Sequence, residues 1–167
     1  RKVEIAPPGV DRPERVPERR HRGPLRLLCV ATLTPRKGHL VLLDALARLL
    51  DLDWRLTLIG SLDRDPATTE SVRRRIAQSG IQDRVALAGE RPPGSLGDVY
   101  SEADVFVLPS YHEGYGMAFA EAMAWGLPIV ATRAGAIPET VPAEAGLLVP
   151  AGDAAALAEA LREIIVD

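Results

Sequence analysis

The sequence predicts an α/β domain built on a doubly wound parallel sheet of about six strands. Short runs of Val, Ile and Leu recur along the chain and read as strands buried on both faces. Longer helical patterns separate them, and strands alternating with helices at this spacing imply right-handed βαβ crossovers and a sheet covered on both sides. The chain has 167 residues, of which 47% are hydrophobic and 26% charged, which is enough for one domain with a real core.

The first 22 residues differ from the rest. Four prolines fall in the first seventeen residues and a charged run follows, so residues 1–22 read as an extended hinge strand and a solvated linker. The compact domain is expected over residues 23–167. Its first strand is LRLLCVA, Leu25 to Ala31, and a helix apolar nearly all round follows from about Lys37 to Leu50. RLTLIG is the second strand. The next helix lies in DPATTESVRRRIAQSG, with Asp65 as its cap, Pro66 in its first turn and Gly80 at its end. VALAG, VFVLP, PIVAT and GLLVP supply four further strands, and the last helix runs from an Asp153 cap to the end of the chain.

Composition narrows the function. A net charge of −3 argues against a nucleic-acid partner, since such domains carry a basic face. The single cysteine, Cys29, sits in an apolar run and reads as a reduced, buried thiol. No apolar run approaches the roughly 18 residues needed to span a bilayer, and RKVEIAPPGV lacks the apolar centre of a secretory signal, so the expected location is the cytoplasm.

In open parallel sheets, ligands bind beyond the carboxyl ends of the strands. That rule selects the loops Thr32 to Gly38, Gly60 to Asp65, Gly89 to Gly94, Pro109 to Met117 and Thr132 to Glu139. Gly114 and Gly116 precede a helix expected over Met117 to Trp125, and free amides at a helix start favour an anion such as phosphate. The alternative is that both glycines serve only a tight strand-to-helix turn. Phe119 stands where a dinucleotide-binding Gly-x-Gly-x-x-Gly would need its third glycine, and no Gly-Lys-Ser/Thr or His-Glu-x-x-His motif is present.

Two carboxylates flank this turn. Glu113 lies before the helix, and Glu121 lies about 7 Å inside it at 1.5 Å per residue. The order acceptor, row of N–H donors, acceptor matches hydroxyls, diphosphate, hydroxyls, which describes a nucleotide sugar. Otherwise Glu121 is an acid favoured by the helix dipole and Glu113 a solvated loop acid. Only Lys2 and Lys37 among the twenty basic residues are lysines, and Lys37 stands with Arg36 in the loop after the first strand, placed to neutralise a diphosphate. The alternative there is an exposed basic pair. Asp51 and Asp53 fall at the wrong end of the sheet for a metal bridging a diphosphate, and Asp65 is better explained as a cap than as a partner of Asp63, so no metal site is expected.

VEIAPPGVD, PRKGHLVLLDAL, LTLIG, VALAGE, ADVFVLPSYHEGYGMAFAEAMAWGLPIVATRAGAIPE and AGLLVPAGDAAALAEAL follow one another over nearly the whole chain. In that order they resemble the C-terminal, donor-binding domain of the group 1 family of retaining glycosyltransferases, whose GT-B architecture sets two Rossmann-like domains across a cleft. The resemblance implies that Glu113 contacts the transferred sugar as the catalytic residue and Glu121 the ribose hydroxyls. It further implies that Lys37, with Arg36 beside it, and the amides of Gly116 and Met117 hold the diphosphate, in a loop that also contains Gly114 and Tyr115. Gly89, Glu90 and Arg91 would meet the base. The implied partners are a nucleotide sugar, as donor substrate rather than cofactor, and an N-terminal acceptor-binding domain absent from this chain. The resemblance implies a metal-independent reaction, no transfer by the isolated domain, and room for peripheral membrane association of the full-length protein.

Two positions depart from the family. Ala31 and Thr32 replace the common Gly-Arg of the first loop, so the direction of Arg36 decides how much positive charge the site keeps. Ala136 stands where a second glycine is common. A second hypothesis is therefore a non-catalytic nucleotide-sugar-binding or regulatory module of the same fold, and a third, an oxidoreductase domain, lacks its glycine fingerprint.

Overall fold

The computed structural model describes residues 8–18 and 23–166, so the start of the expected hinge strand and part of the charged linker lie outside the described residues. Leu25–Val30 (β1), Trp54–Ile59 (β2), Val85–Gly89 (β3), Val105–Leu108 (β4), Ile129–Thr132 (β5) and Gly146–Val149 (β6) form one six-stranded sheet in the order β3-β2-β1-β4-β5-β6. Every pairing is parallel. All residues of β4 and β5 are buried, which is why these strands read as unbroken apolar runs without alternation.

The helices are α1 (His39–Leu46), α2 (Pro66–Gln78), α3 (Leu96–Glu102), α4 (Met117–Ala124), the single turn α5 (Ile137–Thr140) and α6 (Ala154–Val166). Helix α1 packs against α2 and α6, while α3 touches β1 and α4 touches β5. Phe106 of β4 ties α3 to α4: its ring centroid lies 6.2 Å from that of Tyr100 and meets Phe119 edge-on at 5.7 Å. The expected caps form. Asp65 accepts from the Thr68 amide at 3.0 Å, and Asp153 accepts from the Ala155 and Ala156 amides at 3.0 and 2.9 Å.

The first helix is shorter than the sequence pattern implied. Residues Pro35–Lys37 form a separate 3₁₀ turn, Gly38 takes a left-handed conformation at φ 72°, and α1 begins only at His39. Its end comes early too. The amides of Arg48 and Leu49 bond three residues back, and the Trp54 indole draws the Leu49 carbonyl aside at 2.8 Å. At the C-terminal break the apolar pattern runs on through Leu49 and Leu50, so the pattern alone overruns the helix there; at the start, Pro35–Lys37 are not buried and only Gly38 marks the break.

The end of the sheet opposite the ligand-selecting loops is closed by an ion pair. Buried Asp104, just before β4, accepts from the Arg26 amide at 2.8 Å and from its guanidinium at 3.0 and 2.8 Å. Cys29 is fully enclosed in β1, and burial pushes its thiol up to about 12. Among the described residues no helix is long and apolar enough to cross a membrane. From β1 the chain runs out through β2 to β3 and then returns to β4 on the other side of β1. The loops leaving β1 and β4 therefore diverge, and a crevice opens between them.

Candidate functional site

That crevice brings Lys37, Arg36 and Glu113 together. Lys37 Nζ lies 2.6 Å from Glu113 Oε1, and Arg36 Nη1 lies 3.4 Å from Oε2. Three features hold the two loops at this separation. The Tyr111 amide donates to the Arg36 carbonyl at 2.8 Å, and the Arg36 guanidinium donates to the His112 carbonyl at 2.5 Å. Gly38 makes the approach sterically feasible, since a Cβ there would sit 2.1 Å from the Pro109 carbonyl oxygen.

Glu113 is not a solvated loop acid. It is 6% exposed, and the Ser110 hydroxyl donates to Oε1 at 2.6 Å. Burial by itself raises the carboxyl pKa; the hydrogen bonds from Lys37 and Ser110 and the charges of Lys37 and Arg36 outweigh it and hold the group below its ordinary value. Oε1 is thus doubly engaged, while among the described residues Oε2 has only the long contact to Arg36 and keeps acceptor capacity for a ligand hydroxyl. With Thr32 in the first loop, Arg36 supplies a second cation that faces this carboxylate.

The two glycines of the following turn have different reasons to be there. Gly116 caps α4 with φ 88°, and a Cβ on it would lie 2.5 Å from the Phe119 ring, so the fold itself requires glycine. Gly114 has neither a positive φ nor any heavy atom within 4 Å of a built Cβ. Among the described residues the amides of Gly114, Tyr115, Gly116 and Met117 donate to no protein acceptor. The Tyr115 carbonyl is pinned from behind by the Thr140 hydroxyl at 2.6 Å. A row of free donors at the start of an eight-residue helix is what an anion needs.

Past this row, Glu121 sits half-buried on α4 and Oε2 accepts from the Tyr100 hydroxyl at 2.8 Å. Glu121, Tyr100 and Met117 line a cleft of about 600 Å³ whose far wall comes from residues 9–13. Gly89 ends the edge strand β3, and Glu90 and Arg91 follow it in the stretch that leads to Gly94 and Leu96 of this cleft. Glu90 and Arg91 are exposed, and among the described residues neither bonds to Lys37, Glu113 or Glu121. Two of the aspartates weighed for a metal have structural duties: Asp51 pairs with Arg162 at 2.7 and 3.0 Å, and Asp65 caps α2. Among the described residues no three His, Cys, Asp or Glu side chains converge as metal ligands would.

Sequence reasoning missed Ser110 and Tyr100. Ser110 left one usable signal, a hydroxyl three residues ahead of Glu113. Tyr100 left none, because nothing in spacing joins α3 to α4.

The family described as glycosyl transferases group 1 matches residues 24–167. Over 99% of its length the chain is 36% identical to a D-inositol 3-phosphate glycosyltransferase of Corynebacterium efficiens, of which it covers 41%. The chain therefore spans about two-fifths the length of such relatives. It superposes with a TM-score of 0.80 on Anabaena Alr3699/HepE crystallised with UDP and glucose, at 27% identity, covering 87% of this chain and 39% of that one. With the crystallised C-terminal domain of a glycosyl transferase group 1 family protein, LpcC, from Francisella tularensis, the TM-score is 0.75 at 26% identity, covering 87% of this chain and 77% of that one.

Proposed function

Since the chain belongs to the group 1 glycosyltransferases, we propose that it is the donor-binding half of a retaining enzyme that transfers a sugar from a nucleotide diphosphate sugar to an acceptor held by a separate N-terminal domain. One observation carries this reading: the Lys37, Arg36 and Glu113 cluster abuts the unpaired amides at the start of α4. Lys37 has three N–H donors and gives one to Glu113, which leaves two for phosphate oxygens. Charge building on the leaving diphosphate then meets a cation and a helix start that are already in place, so little reorganisation is needed as the bond breaks. Glu113 Oε2 faces the transferred sugar and Glu121 the ribose. In this reading the leaving diphosphate helps to deprotonate the acceptor on the same face of the sugar, and the charge balance needs no metal ion. The likeness to a protein crystallised with UDP and glucose supports a nucleotide sugar as the donor class.

The test is a set of titrations with a nucleoside, its diphosphate and the matching nucleotide sugar. Lys37→Ala should weaken the diphosphate by about 1.5–3 kcal/mol, the range for hydrogen bonds to charged groups, and leave the nucleoside nearly unchanged. Glu121→Ala should weaken diphosphate and nucleotide sugar alike, while Glu113→Ala should spare the bare diphosphate, because it frees Lys37 rather than removing a contact. If Glu113→Ala and Glu121→Ala weaken the bare diphosphate equally, the two ends have been assigned wrongly.

A further inference from the structure

Glu121 stands on a helix face with three rotatable bonds, so a lone glutamate there would sample several positions and pay ordering entropy on each binding event. Tyr100 removes that freedom. It reaches across from α3, twenty-one residues earlier in the chain, and its hydroxyl donates to Glu121 Oε2 at 2.8 Å. The tyrosine is 2% exposed and its ring lies against Phe106, which is itself fixed by Phe119. A phenol oxygen lies on the axis of ring rotation, so even a ring flip leaves this donor in place. Among the described residues Glu121 Oε1 has no hydrogen-bond partner, and both side chains line the same cleft of about 600 Å³.

We propose that Tyr100 is a positioning residue: it clamps one oxygen of Glu121 so that the other is held ready for the ribose hydroxyls of a bound nucleotide, and it thereby sets how strongly the protein distinguishes ribose from deoxyribose. This rests on the donor-binding reading above. Tyr100 touches no substrate in this scheme and acts only through Glu121.

The experiment is calorimetric titration of UDP, GDP and ADP, each with its 2′-deoxy and 3′-deoxy counterpart, against the wild-type chain, Tyr100→Phe, Glu121→Ala and the double variant. Wild type should lose about tenfold or more in affinity when a hydroxyl contacting the carboxylate is removed, the scale of a charge-assisted hydrogen bond. Glu121→Ala should abolish that ratio. Tyr100→Phe should cut the ratio about threefold or more while leaving deoxynucleotide affinity unchanged, and the double variant should look like Glu121→Ala alone. A second measurement needs no variant: the Tyr100 hydroxyl proton, followed by NMR in the wild-type protein, should shift on addition of the bound diphosphate and shift less with its 2′,3′-dideoxy form. A ratio unchanged in Tyr100→Phe, an equal loss for ribo- and deoxynucleotides, or an unmoved hydroxyl proton overturns the positioning role and leaves the donor-binding reading standing. If wild type binds none of the three diphosphates, the donor-binding reading itself fails and takes this proposal with it.

Discussion

A carboxylate that is 6% exposed keeps its charge only with compensation, and Glu113 draws that from Lys37, Ser110 and Arg36. The cluster has a second consequence just beneath it. His39 follows Gly38, is 2% exposed, and among the described residues has no hydrogen-bond partner of good geometry for either ring nitrogen. Burial first and then the charge of Lys37 lower its pKa to about 4, against a pull upward from the Thr34 and Ala31 carbonyls. The unfolded chain takes up a proton near pH 6.5 that the folded protein refuses until about pH 4. The stability from neutral His39 is thus complete above pH 6.5 and is lost as the pH falls toward 4. At about 1.4 kcal/mol per pH unit the loss amounts to about 3 kcal/mol. Glu113, whose pKa is lowered, adds its own loss only below the ordinary carboxyl range. Denaturant unfolding across this interval should show a slope that His39→Leu flattens, and a variant with the wild-type slope would show that other groups carry it.

Loops after β1 and β4 make the site, and their glycines can be separated by experiment. Gly38→Ala would force a Cβ to within 2.1 Å of the Pro109 carbonyl oxygen at a left-handed φ of 72°, so the loops must part and Lys37 must leave Glu113. The expected cost is about 2 kcal/mol or more of stability, with loss of diphosphate binding. Gly114→Ala meets nothing within 4 Å and should leave stability within about 0.5 kcal/mol, yet weaken the diphosphate if a ligand approaches this backbone. Thermal unfolding and titration of both variants check this, and an equal loss of stability in the two would contradict it. At this scale the inner strands β4 and β5 were legible because a parallel sheet buries them on both faces, and the caps Asp65 and Asp153 because their side chains act within three residues. The bounds of helix α1 were not, since the left-handed Gly38 sets Pro35–Lys37 apart as a separate turn and the apolar run continues past the helix end to Leu49 and Leu50. Lys37 and Glu113 could be shortlisted from their loops. Their 2.6 Å contact and the Tyr100 bond to Glu121 depend on tertiary placement and leave no local trace.

At the scale of the whole molecule, the chain covers 41% of its Corynebacterium efficiens relative. In the reading proposed here, donor affinity and transfer therefore separate. Every group assigned to the nucleotide sugar lies on this chain, so a nucleoside diphosphate should bind to it, and at about a hundredfold its dissociation constant should stabilise the fold by about 2.7 kcal/mol. Cations at the diphosphate come from Lys37 and Arg36, so this binding should persist in chelator. Transfer requires the acceptor hydroxyl to be held against the sugar, and the effective concentration that a second domain provides is worth about 7–11 kcal/mol in favourable cases. The 167-residue chain alone should consequently bind donor but show no transfer to added acceptors, and activity should appear only when an acceptor-binding domain is joined to it. Calorimetry in chelator and a transfer assay with radiolabelled donor measure the two halves of this expectation. Binding that appears only with magnesium or manganese overturns the metal-free site, robust transfer by the chain alone overturns the division of labour, and a joined protein that binds donor without transferring it favours a regulatory module over an enzyme.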